Sequence, residues 1–168
     1  MSSKNKIVFG SKIHYPPADE VSVREFLQWK YPPPYEIYNY APEHFEADLA
    51  YHLDPGNNIY CMFREGGLVG YCSFGQDARL PGGDYGEEAL DIGLMIKPDL
   101  TGRGQGSEYV RDVVQFAVAR FNPAKLRVTI LATNLRAQRV WEKNGFQKVQ
   151  KFMRGSDQIQ FFILTRDT

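Results

Sequence analysis

The segment that most constrains this chain runs from Ala89 to Phe121. Its first part, ALDIGLMI (89–96), is too apolar for a strand with one wet face, so it belongs in the middle of a sheet with cover on both sides. Pro98 ends it, and three glycines follow at alternate positions in DLTGRGQG (99–106). Val110, Val113, Val114, Ala117, Val118 and Phe121 then recur at spacings of three and four, the apolar stripe of a helix of about four turns lying across the sheet. A strand that enters a helix through bare glycines aims unpaired N–H groups and the positive end of the helix dipole at one place, which is an anion site. Side chains at Gly102, Gly104 or Gly106 would obstruct it. The spacing excludes two familiar versions. A P-loop needs Gly-Lys-Ser/Thr, whereas Gly106 is followed by Ser107 and Glu108. In the dinucleotide pattern G-x-G-x-x-G the third glycine would fall on Ser107 or on Tyr109.

The flanking sequence supplies a mixed order of elements. KIVFGSKIH (6–14) reads as a strand and ADEVSVREFLQWK (18–30) as a short helix with Val21, Val23, Phe26 and Leu27 mostly on one side. WKYPPPYEIYNY (29–40) holds five aromatic residues and three prolines in twelve positions, which makes it an irregular, aromatic-lined connection. A second helix follows in PEHFEADLAYHL (42–53), with Pro42 in its first turn. NIYCMFREGGLVGYCSFG (58–75) has the form of a hairpin turning at Gly66 and Gly67, and GGDYGEE (82–88) that of a loop. KLRVTILAT (125–133) is a strand, NLRAQRVWEKNG (134–145) a helix ended by Gly145, and FQKVQKFMRG with QIQFFILTRD a terminal pair of strands. Strand, glycine loop, helix, strand and helix inside a hairpin-rich order predict a mixed α/β sheet in one layered domain over residues 1–168.

Composition narrows the partner. Twenty basic and twenty acidic residues cancel, so there is no electrostatic footprint of a nucleic-acid or membrane-surface binder, and a small molecule is the expected partner. The opening MSSKNKIVFG is too short and polar for a signal peptide, and no apolar run nears the roughly 18 residues of a membrane span, so the expected location is cytoplasmic. Two cysteines are too few for a disulfide framework or a thiolate metal site. A turn at Gly66–Gly67 would set Cys61 opposite Cys72, expected as reduced, packed thiols. His14, His44 and His52 show no metal spacing, and no metal is expected.

IKPDLTGRGQG resembles the pyrophosphate signature Gln/Arg-x-x-Gly-x-Gly/Ala of the GNAT family, the acetyl-coenzyme A dependent N-acetyltransferases, through Pro98, Gly104 and Gly106, with Thr101 where the family has Gln or Arg. NLRAQRVWEKNGF is similar to that family's later motif through Asn134, Ala137, Gly145 and Phe146, with Trp141 in place of its tyrosine. The two motifs span residues 89–147.

The resemblance implies a mixed central sheet of about six or seven strands with helices on both faces, its strands 89–96 and 125–132 splayed to admit the cofactor. It further implies that the backbone of Leu94, Met95 and Ile96 pairs with the pantetheine arm and one of its N–H groups holds the oxyanion. Thr101, Gly102, Arg103, Gly104, Gln105, Gly106 and Ser107 would then hold the pyrophosphate. Asn134 is expected to contact the arm, cap its helix, or both. Trp141 cannot serve as an acid and is expected to pack in the core or beside the cofactor.

A base is needed because most alkyl amines are protonated near pH 7. Asp91 is the expected base, since a charge in so apolar a strand is costly without a purpose; Glu87 and Glu88 are lesser alternatives. Trp29, Tyr31, Tyr35, Tyr38 and Tyr40 are expected to help form the acceptor pocket. The leading expectation is direct acetyl transfer from acetyl-coenzyme A to a primary amine of a small molecule. Transfer to a protein N-terminus or lysine, and a non-catalytic coenzyme A binding module, are the alternatives. The expected assembly is a monomer or a homodimer.

Overall fold

The computed structural model describes residues 12–155 and 157–168. Six strands, β1 (Ile59–Arg64), β2 (Gly67–Phe74), β3 (Leu90–Ile96), β4 (Lys125–Leu131), β5 (Gln147–Arg154) and β6 (Ile159–Asp167), form one sheet in the order β1-β2-β3-β4-β6-β5. Every neighbouring pair is antiparallel except β3 and β4. Parallel neighbours need a crossover, and the helix α3 (Gly106–Phe121) supplies it.

Helices cover both faces. α3 and α4 (Leu135–Lys143) bury Val110, Val113, Val114, Ala117 and Trp141 against Ile92, Leu126, Val128 and Ile130. On the opposite face α1 (Glu20–Phe26) and α2 (Phe45–Leu53) set Val23, Phe26 and Leu49 over Ile59, Cys61 and Tyr71. Local chemistry fixes the helix starts. Asp19 caps α1 by accepting the Ser22 N–H at 3.0 Å, and Asn134 caps α4 by accepting the Ala137 N–H at 3.0 Å. No helix among the described residues is long and apolar enough to cross a membrane.

Two sequence expectations change, and a third falls largely outside the described residues. Most of the strand expected at 6–14 lies outside the described residues; its end, at His14, bridges Phe63 on the outer side of β1. The hairpin turns at Glu65 and Gly66, with φ of 51° and 79°, one residue earlier than expected. A bulge between Met62 and Phe63 shifts the register again, so Cys61 opposes Tyr71 and Cys72 opposes Tyr60. The thiols lie in the cores on opposite faces of the sheet, both free and buried. Finally, β3 is central but its cover is incomplete: Asp91 and Ile92 are buried, whereas Gly93 to Ile96 are only half-buried.

Candidate active site

The loss of cover has a structural cause. β3 and β4 pair only at Leu90 with Leu126, Asp91 with Arg127 and Ile92 with Val128, after which the strands part. The direction of each main-chain group follows from the β2–β3 register, which is unbroken from Gly70–Ile96 to Phe74–Ile92. At its two ends Gly75 N–H donates to the Asp91 carbonyl at 2.9 Å and Lys97 N–H to the Val69 carbonyl at 2.8 Å. By alternation Asp91, Gly93 and Met95 turn their N–H and C=O groups toward β2, and Leu94 and Ile96 turn theirs into the opening. On the far side Ala132 N–H donates to the Gln160 carbonyl at 2.9 Å, so Thr129 and Leu131 face the opening from β4. The Tyr31 hydroxyl donates to the Ile96 carbonyl at 2.6 Å. Leu94 N–H and C=O and Ile96 N–H are left as a short strand edge without a strand partner, inside the protein rather than at its rim.

At the vertex of the opening sits a buried ion cluster. Arg127 donates from Nε to Asp91 Oδ1 at 2.6 Å and from Nη2 to Asp91 Oδ2 at 2.8 Å, and Arg79 Nε donates to the same Oδ2 at 2.8 Å. Arg127 also reaches the Glu87 carbonyl at 2.8 Å and lies 4.9 Å from the centre of the Tyr85 ring. The Asp91 and Arg127 side chains are 1% and 2% exposed, and the carboxylate's hydrogen bonds hold the guanidinium pKa above its ordinary value. Both Asp91 oxygens are therefore committed to guanidinium donors. Asp91, the expected base, is thus placed as the partner of two arginines. The clue missed in the sequence was the same anomaly on the next strand, an arginine in the apolar run KLRVTIL. Of the alternatives, the Glu87 carboxylate pairs with Lys125 and Glu88 is exposed.

The glycine loop lies between the open end of β3 and α3. Gly102 and Gly104 have φ of +71° and +77°, a region that side chains disfavour. At Gly106 the space itself is tight: a Cβ there would lie 3.1 Å from Cγ1 of Val140 on α4. Gln105 occupies the N-cap position of α3 without making a side-chain cap, so no side chain screens the first-turn N–H groups. Thr101 turns its hydroxyl back to the Pro98 carbonyl at 2.7 Å. Ser107 Oγ accepts from Asn144 Nδ2 at 3.1 Å, tying the end of α4 to the start of α3. Arg103 is exposed at the tip.

The aromatic linker spans one side of the opening. Its ends are tied by Asn39, whose Oδ1 accepts the Tyr31 N–H at 2.7 Å. Tyr31 reaches β3 through Ile96, and the Tyr38 hydroxyl accepts from Asn134 Nδ2 at 2.9 Å, so the linker bridges both sides of the gap. Burial raises the pKa of both phenols, which stay protonated donors at neutral pH. Tyr35 lies against α4, its ring centre 4.4 Å from the Arg136 guanidinium. Trp29 is instead buried beside Phe26 and Tyr71, with its Nε1 unpartnered. Tyr40 belongs to an interior chain that joins the Tyr71 and Tyr40 hydroxyls at 2.7 Å and the Tyr40 hydroxyl to His52 Nε2 at 2.9 Å, while His52 Nδ1 donates to the Asp48 carbonyl at 2.7 Å. Trp141 packs in the core, edge-on to Phe146 at 4.8 Å.

A splayed parallel pair beside an uncapped glycine-loop helix is the arrangement expected of a GNAT domain, and the acetyltransferase (GNAT) domain family matches residues 16–147. The chain belongs to that family. Membership makes it an acetyl-coenzyme A dependent acyltransferase. No curated protein matches the sequence. Solved GNAT structures share the fold at low identity. The aminoglycoside acetyltransferase AAC(6')-Ib in complex with coenzyme A superimposes with a TM-score of 0.72 at 16% identity, covering 93% of this chain and 95% of that one. A chimera of the spermidine N-acetyltransferase SpeG from Vibrio cholerae and hSSAT gives 0.71 at 14% identity, with coverage of 94% and 96%. The Campylobacter jejuni N-acetyltransferase PseH in complex with acetyl coenzyme A gives 0.63 at 15% identity, with coverage of 93% and 99%.

Proposed function

We propose that this GNAT enzyme transfers an acetyl group from acetyl-coenzyme A directly to a primary amine of a small molecule. The observation that carries the reading is the free main-chain edge formed by Leu94 N–H and C=O and Ile96 N–H, opening toward the glycine loop, which admits no side chain at Gly102 and Gly104 without strain.

Acetyl-coenzyme A, when bound, supplies the acetyl group as a thioester. The N–H groups from Gly102 to Ser107 hold its diphosphate, since they lie at the positive end of a sixteen-residue helix without a side-chain cap. Leu94 and Ile96 pair with the pantetheine arm as an added strand would. Met95 turns its backbone toward β2 and is assigned no cofactor contact, as its side chain packs on the α1 and α2 face. Leu94 N–H is the donor for the thioester carbonyl, a kind of contact worth roughly 2.7–4 kcal/mol of barrier where it is preorganised. Its orientation comes from the β2–β3 register, so it is set before any ligand arrives.

Direct transfer is supported by the cysteines. Burial pushes both the Cys61 and the Cys72 thiols above the ordinary range, so neither offers a thiolate to carry an acetyl group. Those two free thiols also suit a cytoplasmic enzyme. With Asp91 engaged, the acceptor's proton is assigned to water at the mouth of the opening. Tyr31 and Tyr38, whose hydroxyls fasten the linker across the gap, are assigned to the wall of the acceptor side. The comparison structures named for spermidine and for aminoglycosides act on amine-bearing small molecules, which supports this acceptor class.

Release of free thiol from acetyl-coenzyme A, measured with polyamines, aminoglycosides, amino sugars and peptides, tests the proposal. Turnover with a small amine supports it. Turnover with peptides alone would move the assignment to protein acetylation, and cofactor binding without turnover on the whole panel would defeat the small-amine assignment.

A further inference from the structure

We infer that Arg136 is a clamp for the cofactor's diphosphate, held in place by Tyr35. The inference rests on the reading of the glycine loop as the cofactor site and adds a residue that neither sequence motif assigns. Three observations converge. First, a Cβ at Gly102 would come within 3.3 Å of an Arg136 guanidinium nitrogen, so this side chain overhangs the loop although it belongs to α4. Second, Arg136 is exposed and makes no ion pair among the described residues, and the same holds for Arg103 in the loop itself. Two uncompensated guanidiniums beside the positive end of α3 concentrate positive potential in a chain of zero net charge. Third, Thr101 stands where the family signature has Gln or Arg, and its hydroxyl is spent on the Pro98 carbonyl. The loop therefore has no long polar side chain at its first position, and α4 brings one to the same place from 35 positions further along the chain.

Arginine suits the task because its planar fork meets two oxygens at once. Left free, so exposed a side chain would lose rotamer freedom on binding. The Tyr35 ring 4.4 Å away already restricts it, which lowers that loss. This contact moves Tyr35 from the acceptor pocket, where the sequence suggests it, to the cofactor side. Its neighbour in the linker, Tyr38, is held by Asn134 one residue before α4 begins, so the first turn of α4 fixes the linker at two points.

The test is calorimetric titration of the wild type, Arg136→Gln and Tyr35→Leu with coenzyme A and with 3′-dephospho-coenzyme A, together with the unliganded unfolding midpoint of each. Loss of a charge-assisted contact should weaken Arg136→Gln about tenfold toward both ligands. Tyr35→Leu should weaken both about threefold, and all three unliganded proteins should unfold together. Binding of coenzyme A to Arg136→Gln within twofold of wild type overturns the inference, as does a loss confined to coenzyme A, which would place Arg136 on the 3′-phosphate. A lowered unliganded midpoint for Arg136→Gln would make its role structural and also overturns it. A wild type that binds neither ligand defeats the loop reading itself, a separate outcome.

Discussion

Replacing Asp91 by Asn separates a structural carboxylate from a catalytic one. In the native chain three guanidinium bonds converge on Asp91, two from Arg127 at 2.6 and 2.8 Å and one from Arg79 at 2.8 Å. The Asn carbonyl can replace one carboxylate oxygen, but its amide then points donors at donors. Arg127, 2% exposed, would keep its charge with no carboxylate within reach. Removing one member of a buried pair costs about 3–5 kcal/mol, and Arg79, being 35% exposed, adds little because water can replace its partner. A domain of this size has a total stability of about 5–15 kcal/mol, so the variant should lose about a fifth of it or more. Urea unfolding followed by tryptophan fluorescence measures this directly. The double variant Asp91→Leu/Arg127→Met should recover most of the loss, because no buried charge is then left alone. A decrease below about 1 kcal/mol for Asp91→Asn, with activity abolished at full foldedness, would refute the reasoning and return Asp91 to the role of base.

Three further outcomes are expected. Gly104→Val places a β-branched side chain at φ +77° beside the proposed diphosphate site; it should raise the KM for acetyl-coenzyme A at least tenfold, and an unchanged KM would count against the loop. Tyr31→Phe removes the donor to the Ile96 carbonyl and should cost about 1 kcal/mol in denaturant unfolding while leaving the fold intact; no change would mean that the linker is not fastened there. At Asp19, burial acts to raise the carboxyl pKa but the Ser22 N–H and hydroxyl bonds outweigh it, so the folded value lies below the ordinary one. Its stabilisation is therefore complete above about pH 4 and is lost as pH falls through the depressed value. Asp19→Ala should cost about 1 kcal/mol at pH 7, with the gap to wild type closing below pH 4.

The parts of this fold legible in the sequence are those that local chemistry decides. The loop glycines, the stripe from Val110 to Phe121, the Asn134 cap and the boundaries of β3 each depend on a few neighbouring residues, and each is where the sequence suggests. What failed to show depends on long-range packing. The hairpin register turned on a bulge of one residue between Met62 and Phe63, which no composition rule marks. Asp91 stands out in its apolar strand, but its partner lies 36 positions away on a parallel neighbour, so the sequence does not show the ion pair. The aromatic linker was visible as a cluster and not as a set of roles. Trp29 went to the core, Tyr31 to β3 and Tyr35 to α4, and each destination depends on a residue well separated in sequence.

Amide hydrogen exchange on the protein with and without acetyl-coenzyme A tests the opening between β3 and β4 most directly. Leu94 and Ile96 N–H point into the gap, while Gly93 and Met95 N–H are bonded to β2. Without ligand the first pair should exchange rapidly and the second slowly, and saturating acetyl-coenzyme A should slow Leu94 and Ile96 while leaving Gly93 and Met95 as they were. Exchange at Leu94 that is already slow in the free protein, or that ligand does not alter, would contradict it.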